Sequence, residues 1–301
     1  MVFTYPQWMV DGAKVLYDYE MAELFERAIY NGLYVSTMEE SMQEMLMPID
    51  PLLDDEQSLT NKIDVIQYGE SLAAKATSTA DVFVVTVGAP ETGQISTELF
   101  FSKAEYQDRV ENYPGLKAGI DMQMKSQLIK RKNLELVKGI FANKANAVTK
   151  TATGHLSYAD LLKLYADMSK RGYTPTHFLT THALMADLLM EKDATSTYNK
   201  MALDRKLSST AAVVYEVPHM GWTIVSTKWM DHTEVAGTGY CIAWNYESYV
   251  EQVIRARPQA RMYDMGDTGI NMLRGTIWWE EYGVGPFPAS GDQAVAYTYV
   301  L

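Results

Sequence analysis

Histidine, cysteine and carboxylate side chains are the first candidates for chemistry, because they bind metals and perform acid–base and nucleophilic catalysis. No two histidines have the His-Glu-x-x-His spacing of a zinc protease, and no Cys-x-x-Cys pair occurs. His177 and His182 flank Thr180-Thr181, which favours turn or core histidines over metal ligands. The segment Asp231–Glu234 could hold a cation weakly and is more typical of a polar loop. The five histidines are His155, His177, His182, His219 and His232.

Motifs for nucleophilic catalysis and nucleotide binding do not occur in the sequence. The single cysteine, Cys241, lies in an apolar segment, where a thiol is usually buried and unreactive. There is no Gly-x-Ser-x-Gly elbow and no phosphate-binding loop, and Gly237–Gly239 lacks the third glycine of a dinucleotide motif. Glu280 and Glu281 are adjacent, so in a strand they point to opposite faces. We predict no catalytic, cofactor-binding or metal-binding residue; an enzyme with an unrecognised site remains an alternative.

The charges of the chain are unevenly distributed. Its formal net charge is -12. Residues 1–70 contain 3 Lys/Arg and 14 Asp/Glu, a charge of −11, whereas residues 103–150 contain 10 and 5, a charge of +5. Oppositely charged segments predict that one meets the other, within a chain or between copies. The alternative is that both are solvated surfaces.

The basic segment 121–141 is a candidate for binding another macromolecule. It lacks interleaved aromatic residues and belongs to an acidic chain, so sequence-specific nucleic-acid binding is not expected, while non-specific proximity to a polyanion stays open. We predict instead that its cations contact an acidic arm of a neighbouring copy. The predicted contact residues are Lys125, Lys130, Arg131, Lys132 and Lys138 on the basic side and Glu39, Glu40, Glu44, Asp54 and Asp55 on the acidic side.

Periodicity and turn residues place the elements that carry these side chains. An amphipathic helix is predicted over residues 13–34. Residues 36–60 are acidic, Met-rich and without periodicity, and we expect an extended arm that is disordered or lies on a neighbour. Residues 62–101 are β-like, with a turn signal at Ala89–Gly93, and indicate a hairpin or long β-loop.

A long basic helix is predicted over residues 102–147, interrupted near Pro114. Its apolar stripe changes sides, because Ile120, Met124 and Leu128 share one face and Leu136, Val137, Ile140 and Phe141 share nearly the opposite face. A helix packed on one core keeps one stripe. We therefore expect this helix to pass from one packing environment to another.

The remaining chain predicts an α/β block followed by β-strands. A helix is expected from an N-cap at Ser157 to a stop at Gly172, then a strand at 176–181 and a helix at 183–192. Strands follow at 212–217, 222–230 and 239–245, and the tail from residue 249 is β-rich. No run of about 18 apolar residues and no secretory signal occurs, and one cysteine excludes an internal disulfide, which fits a reducing cytoplasm.

The order of these elements resembles the major capsid proteins of tailed bacteriophages, the Hong Kong 97-type fold. Three segments are similar to family features: 156–190 to the entry of the axial domain, 221–230 to a glycine-led strand, and 260–300 to the closing strands. The resemblance implies an α+β fold with an N-terminal arm at 1–60 and an extended E-loop at 61–102. It further implies a P-domain at 103–150 and 250–301, formed by a spine helix and β-strands, and an axial A-domain at 151–249.

The resemblance also implies a function and partners. The chain would assemble with itself into hexamers and pentamers and then an icosahedral shell around double-stranded DNA, located in the virion and assembled in the host cytoplasm. Scaffolding, portal and decoration proteins and non-specifically bound DNA are further expected partners, with no membrane and no cofactor. An encapsulin-type compartment is the alternative with the same fold. Some relatives crosslink an E-loop lysine, and Lys75 lies in the corresponding region, with Asn271 as a conceivable partner.

One expectation concerns the basic cluster directly. Reversing Lys130, Arg131 and Lys132 to glutamate is expected to impair assembly while leaving the fold of the single subunit intact.

Overall fold

The structure is a computed structural model that describes residues 39–50, 62–68, 90–107, 114–142, 148–150, 155–170, 172–191, 203–246, 250–267, 272–286 and 295–299. The chain divides into two compact units. Unit 1 comprises Met1–Ser41, Leu99–Asn133 and Arg255–Glu281, and unit 2 comprises Met42–Glu98, Leu134–Ile254 and Tyr282–Leu301. Because the chain passes between the units several times, neither is a continuous stretch of sequence.

A four-stranded sheet has the strand order β1-β11-β12-β4, with β4 at one edge. Its strands are β1 (Ile49–Asp50), β4 (Glu98–Gln107), β11 (Val250–Asp267) and β12 (Met272–Pro286). The predicted helical start at Ser102 is therefore wrong, since residues 102–107 belong to β4. Ser102 and Tyr106 are buried while Lys103 and Glu105 are exposed, the two-residue alternation of a strand.

The long helix α2 spans Pro114–Ala142. Proline suits its first position, because the amide that proline lacks would have no partner inside the helix there. Met124 and Leu128 are buried in unit 1, whereas Leu136, Val137 and Ile140 are fully buried in the core of unit 2. The predicted change of packing environment along this helix is confirmed, and it falls between residues 133 and 134.

Unit 2 is built on a seven-stranded sheet with the order β5-β13-β10-β6-β9-β8-β7. Its central strands are β6 (His177–Thr180), β9 (Trp222–Thr227) and β10 (Tyr240–Trp244). β6 runs parallel to β9 and antiparallel to β10. The other strands are β5 (Val148–Lys150), β7 (Asp204–Ser208), β8 (Ala212–Val217) and β13 (Val295–Tyr299), and a 3₁₀ turn at Lys228–Asp231 follows β9.

Alternate residues of the central strands form two hydrophobic clusters in unit 2. Phe178 and Ile224 join the cluster that includes apolar residues of helices α3 (Tyr158–Lys170) and α4 (His182–Met190). Leu179 and Val225 join the second cluster, which contains the C-terminal half of α2. The two-residue period of the strands therefore separates the clusters.

The predicted ends of α3 are close to the observed ones. Ser157 precedes the helix, and both its amide and its hydroxyl donate to the Asp160 carboxylate, at 3.0 and 2.6 Å. Asp160, at the third helical position, thus reaches back to satisfy a cap amide, as in a capping box. Gly172 follows the helix with φ +89°, the left-handed conformation that favours glycine.

The segment after Ser41 differs from the arm that the sequence predicts. Gln43–Leu46 form the short helix α1, and Met42, Leu46 and Met47 are fully buried in the core of unit 2. The Trp244 indole nitrogen donates to the Leu46 carbonyl at 3.2 Å. The expectation that residues 36–60 form an extended arm, disordered or lying on a neighbour, is wrong for Met42–Met47, which pack into the core of their own chain. A single helical turn is too short to show periodicity in the sequence.

Strands β2 (Lys62–Tyr68) and β3 (Pro90–Ser96) form an antiparallel pair, as a hairpin or β-loop requires. The predicted turn at Ala89–Gly93 is wrong, since Pro90 begins β3 and residue 93 pairs with residue 65. Proline is tolerated at the first residue of a strand. Residues 69–89 of the β-like region and the predicted helix at 13–34 lie outside the described residues.

Two glycines of β12 allow β3 to approach closely. A Cβ atom on Gly283 would lie 2.5 Å from the Ser96 carbonyl oxygen, and one on Gly285 would lie 2.5 Å from Ile95 Cγ1. Ile95 is itself buried. The C-terminal end of β3 therefore packs directly against the backbone of β12 at Gly283 and Gly285. A larger residue at either position would force β3 or its side chains to shift.

Candidate assembly surfaces

Lys132, one of the predicted contact residues, forms a buried ion pair with Glu280 of its own chain. The Lys132 ammonium lies 3.3 Å from Glu280 Oε2, and the two side chains are 10% and 4% exposed. Burial raises the pKa of Glu280, and the charge of Lys132 opposes that rise. Changing Lys132 to glutamate would therefore place two carboxylates together in a buried position, which argues against an intact subunit after the triple charge reversal.

Asn133, the next residue of α2, is fully buried and binds the segment before α1. Its side-chain amide donates to Glu39 Oε1 at 3.0 Å and to the Glu40 carbonyl at 2.9 Å. Glu39 is buried, whereas Glu40 is exposed. This acidic segment thus meets the basic helix within one chain, through an amide instead of a lysine.

Other predicted cations lie nearer to solvent. Lys125 is exposed, with its ammonium 4.3 Å from the centre of the Trp278 ring, and the Trp278 indole donates to Asp121 at 3.3 Å. The Lys138 ammonium lies 3.5 Å from Glu234 and 3.6 Å from Glu135. Exposed pairs of this kind contribute little to stability.

The remaining predicted contact residues have varied positions. Lys130 and Arg131 are half-buried, and Glu44 is exposed. Asp54, Asp55, Lys75 and Asn271 lie outside the described residues. The role of the whole set in contacts between subunits stays a prediction.

A groove between β4 and α2 is a surface that the sequence did not predict. It encloses about 280 Å³ and is lined by Leu99, Phe100, Phe101, Ser102, Gln127, Leu128 and Arg131. Leu99 and Phe101 are 58% and 61% exposed, and the Ser102 hydroxyl donates to Gln127 Oε1 at 2.8 Å. The sequence signal for this surface is the two-residue alternation in Leu99–Tyr106, part of which has a composition that also suits a helix.

His177, His182 and Cys241, which are considered as candidates for catalysis or metal binding, lie in packed or hydrogen-bonded surroundings. Burial lowers the pKa of His177 to about 4, and its ring lies 4.8 Å from Tyr246. His182 Nδ1 lies 2.6 Å from the Ser226 hydroxyl. Burial raises the pKa of Cys241 to about 12, so its thiol stays protonated at neutral pH. Among the described residues, no cluster of three or more metal-binding side chains occurs, and no helix is long and apolar enough to span a membrane.

Comparison with known proteins gives structural similarity without sequence similarity. No protein-family model and no curated protein sequence matches the chain. The solved capsid of the cyanophage P-SCSP1u is similar with a TM-score of 0.62 and 12% identity, covering 88% of this chain and 90% of that one. The mature capsid of bacteriophage PhiM1 is similar with a TM-score of 0.62 and 14% identity, covering 88% and 89%.

The chain has the fold of the tailed-phage capsid proteins. The predicted α+β capsid fold is thereby confirmed at the level of overall fold. A virus-like particle from Pyrococcus furiosus is also similar, with a TM-score of 0.55 and 12% identity over 91% of this chain and 98% of that one. The same fold therefore occurs in a virus-like particle as well as in phage capsids.

Proposed function

We propose that the chain is a major capsid protein of a tailed phage. Many copies form hexamers and pentamers that close into an icosahedral shell around double-stranded DNA. The observation that carries this proposal is the similarity to the cyanophage capsid protein over about nine-tenths of both chains. An additional reason is the exposure of large apolar side chains on β4, which are suited to burial between subunits.

The assembly assigns roles to the parts of the chain. Residues 1–60 act as the arm, 61–102 as the E-loop, 103–150 with 250–301 as the P-domain, and 151–249 as the A-domain. Contacts between copies include the exposed members of the predicted basic and acidic sets. Scaffolding, portal and decoration proteins are proposed partners, packaged DNA lies non-specifically on the inner face, and the subunits assemble in the host cytoplasm without a catalytic role.

Negative-stain microscopy of the purified full chain tests this proposal. Closed shells, rings or capsomers support it. A monomer that stays monodisperse at all concentrations and turns over a substrate overturns it and favours an unrecognised enzyme.

An encapsulin-type compartment is the second candidate. It is favoured by the similarity to the virus-like particle from Pyrococcus furiosus, because the match covers 98% of the chain of that particle. The neighbouring genes separate the two functions: terminase, portal and tail genes support the phage capsid, whereas a peroxidase or ferritin-like gene supports the compartment.

A further inference from the structure

The groove between β4 and α2 combines an apolar wall with a cation. Arg131 follows Leu128 by three residues and Gln127 by four, so it lies on the same side of α2 as both of them. Leu99 and Phe101 line the opposite side and are largely exposed. The groove therefore suits a ligand with an aliphatic side chain beside a carboxylate, because the apolar part leaves water while the charge meets a guanidinium.

β4 offers this groove at the edge of its sheet. It is the terminal strand in the order β1-β11-β12-β4, and an edge strand with exposed apolar side chains is a common place for another chain to bind. A cavity of about 280 Å³ accommodates one or two aliphatic side chains, not a folded domain. An extended segment is thus a suitable occupant.

One segment of the chain has the matching composition. Leu52 and Leu53 are followed directly by Asp54, Asp55 and Glu56, and residues 50–61 contain no lysine or arginine. The basic region 103–150, which contains Arg131, carries +5, whereas residues 1–70 carry −11. The complementarity is therefore both apolar and electrostatic.

We propose that this groove binds the segment Leu52–Asp55 of a second copy, with the leucines against Leu99 and Phe101 and the aspartates beside Arg131. The inference rests on the proposed function as a shell subunit, since it is assembly that presents a second copy. It names one specific contact between neighbouring subunits.

Thiol crosslinking in the full chain tests the contact directly. Leu53→Cys combined with Leu99→Cys, treated with a short bis-maleimide, is expected to give covalent dimers and larger oligomers on a denaturing gel. The native Cys241 is fully buried and does not contribute. The matched control pairs Leu53→Cys with Leu207→Cys, an exposed leucine of β7 that should remain uncrosslinked. Crosslinks only within single chains, or no crosslinks in assembled particles, would overturn the proposal.

Charge exchange provides a second test that does not depend on thiols. Arg131→Glu and the double variant Asp54→Arg with Asp55→Arg are each expected to raise the concentration needed for assembly about tenfold or more, measured by sedimentation. An equal mixture of the two should recover assembly in part, because opposite charges meet wherever the two variants alternate, while a ring of five keeps at least one unmatched contact. Arg131→Lys keeps the charge and serves as the control.

The outcomes separate this inference from the proposed function. Wild-type protein that stays monomeric at all concentrations contradicts the proposed function itself. Wild-type particles together with unaltered assembly of the charge variants contradict only the contact. Loss of assembly without recovery in the mixture also contradicts it, since a contact between copies must be restored by exchange.

Discussion

Replacing Lys132 with methionine tests whether the basic helix is held by its buried ion pair. Methionine keeps the length and apolar part of the side chain but leaves the Glu280 carboxylate buried without its cation. Removing one partner of a buried pair typically costs about 3–5 kcal/mol. Glu280 can reduce this cost by taking up a proton. Burial raises its pKa, and the charge of Lys132, which lowers that pKa in the wild type, is absent from the variant. We therefore expect a loss of about 2–4 kcal/mol in the free energy of unfolding at neutral pH.

The pH dependence of this loss has a definite sign. In the variant, the folded-state pKa of Glu280 lies above its unfolded value, so the folded state holds the proton more tightly. The deficit is then greatest above the folded pKa and decreases as the pH falls through that pKa toward about 4.3. Urea unfolding of the unassembled subunit, followed by tryptophan fluorescence at pH 7.5 and pH 5.5, measures both values.

Two further variants provide the comparison. The double variant Lys132→Met with Glu280→Leu removes both charges, and we expect it to unfold within about 1 kcal/mol of the wild type. Lys138→Met removes an exposed cation of the same helix and should cost less than about 1 kcal/mol. If the double variant is as unstable as Lys132→Met alone, the loss comes from packing, and the electrostatic reasoning is refuted.

Three other predictions concern the core of unit 2. His177→Gln should flatten the pH dependence of the free energy of unfolding between pH 6.5 and about 4. In the wild type, the buried neutral ring favours folding, and up to about 3 kcal/mol of the free energy of unfolding is lost as the pH falls through that window. The same pH dependence in the variant and the wild type, measured by acid titration, would contradict this. Gly283→Val should reduce stability by at least about 2 kcal/mol, since its Cβ would meet the Ser96 carbonyl; denaturant midpoints that match the wild type would show that β3 moves freely. Cys241 should react with a maleimide only after unfolding, and rapid labelling of the native chain in mass spectrometry would disprove its burial.

Local features of the chain were predictable because their signals lie within a few residues. The end of α3 at Gly172 and its start after Ser157 depend on cap chemistry that neighbouring residues supply. The central strands of unit 2 also follow from short apolar runs. The start of α2 was misplaced because Ser102–Gln107 has a polar composition typical of a helix, while its burial against the sheet follows the period of a strand.

The sequence alone determined the order of elements, the change of apolar face along α2 and the opposite charges of two regions. The tertiary structure decided which charges are available on the surface. Lys132 and Glu280 are 148 residues apart, and Asn133 and Glu39 are 94 residues apart. Distant residues that pack around a lysine decide whether it stays in solvent or forms a buried ion pair. Burial changes the free energy of a charged group far more than the adjacent residues in the sequence do.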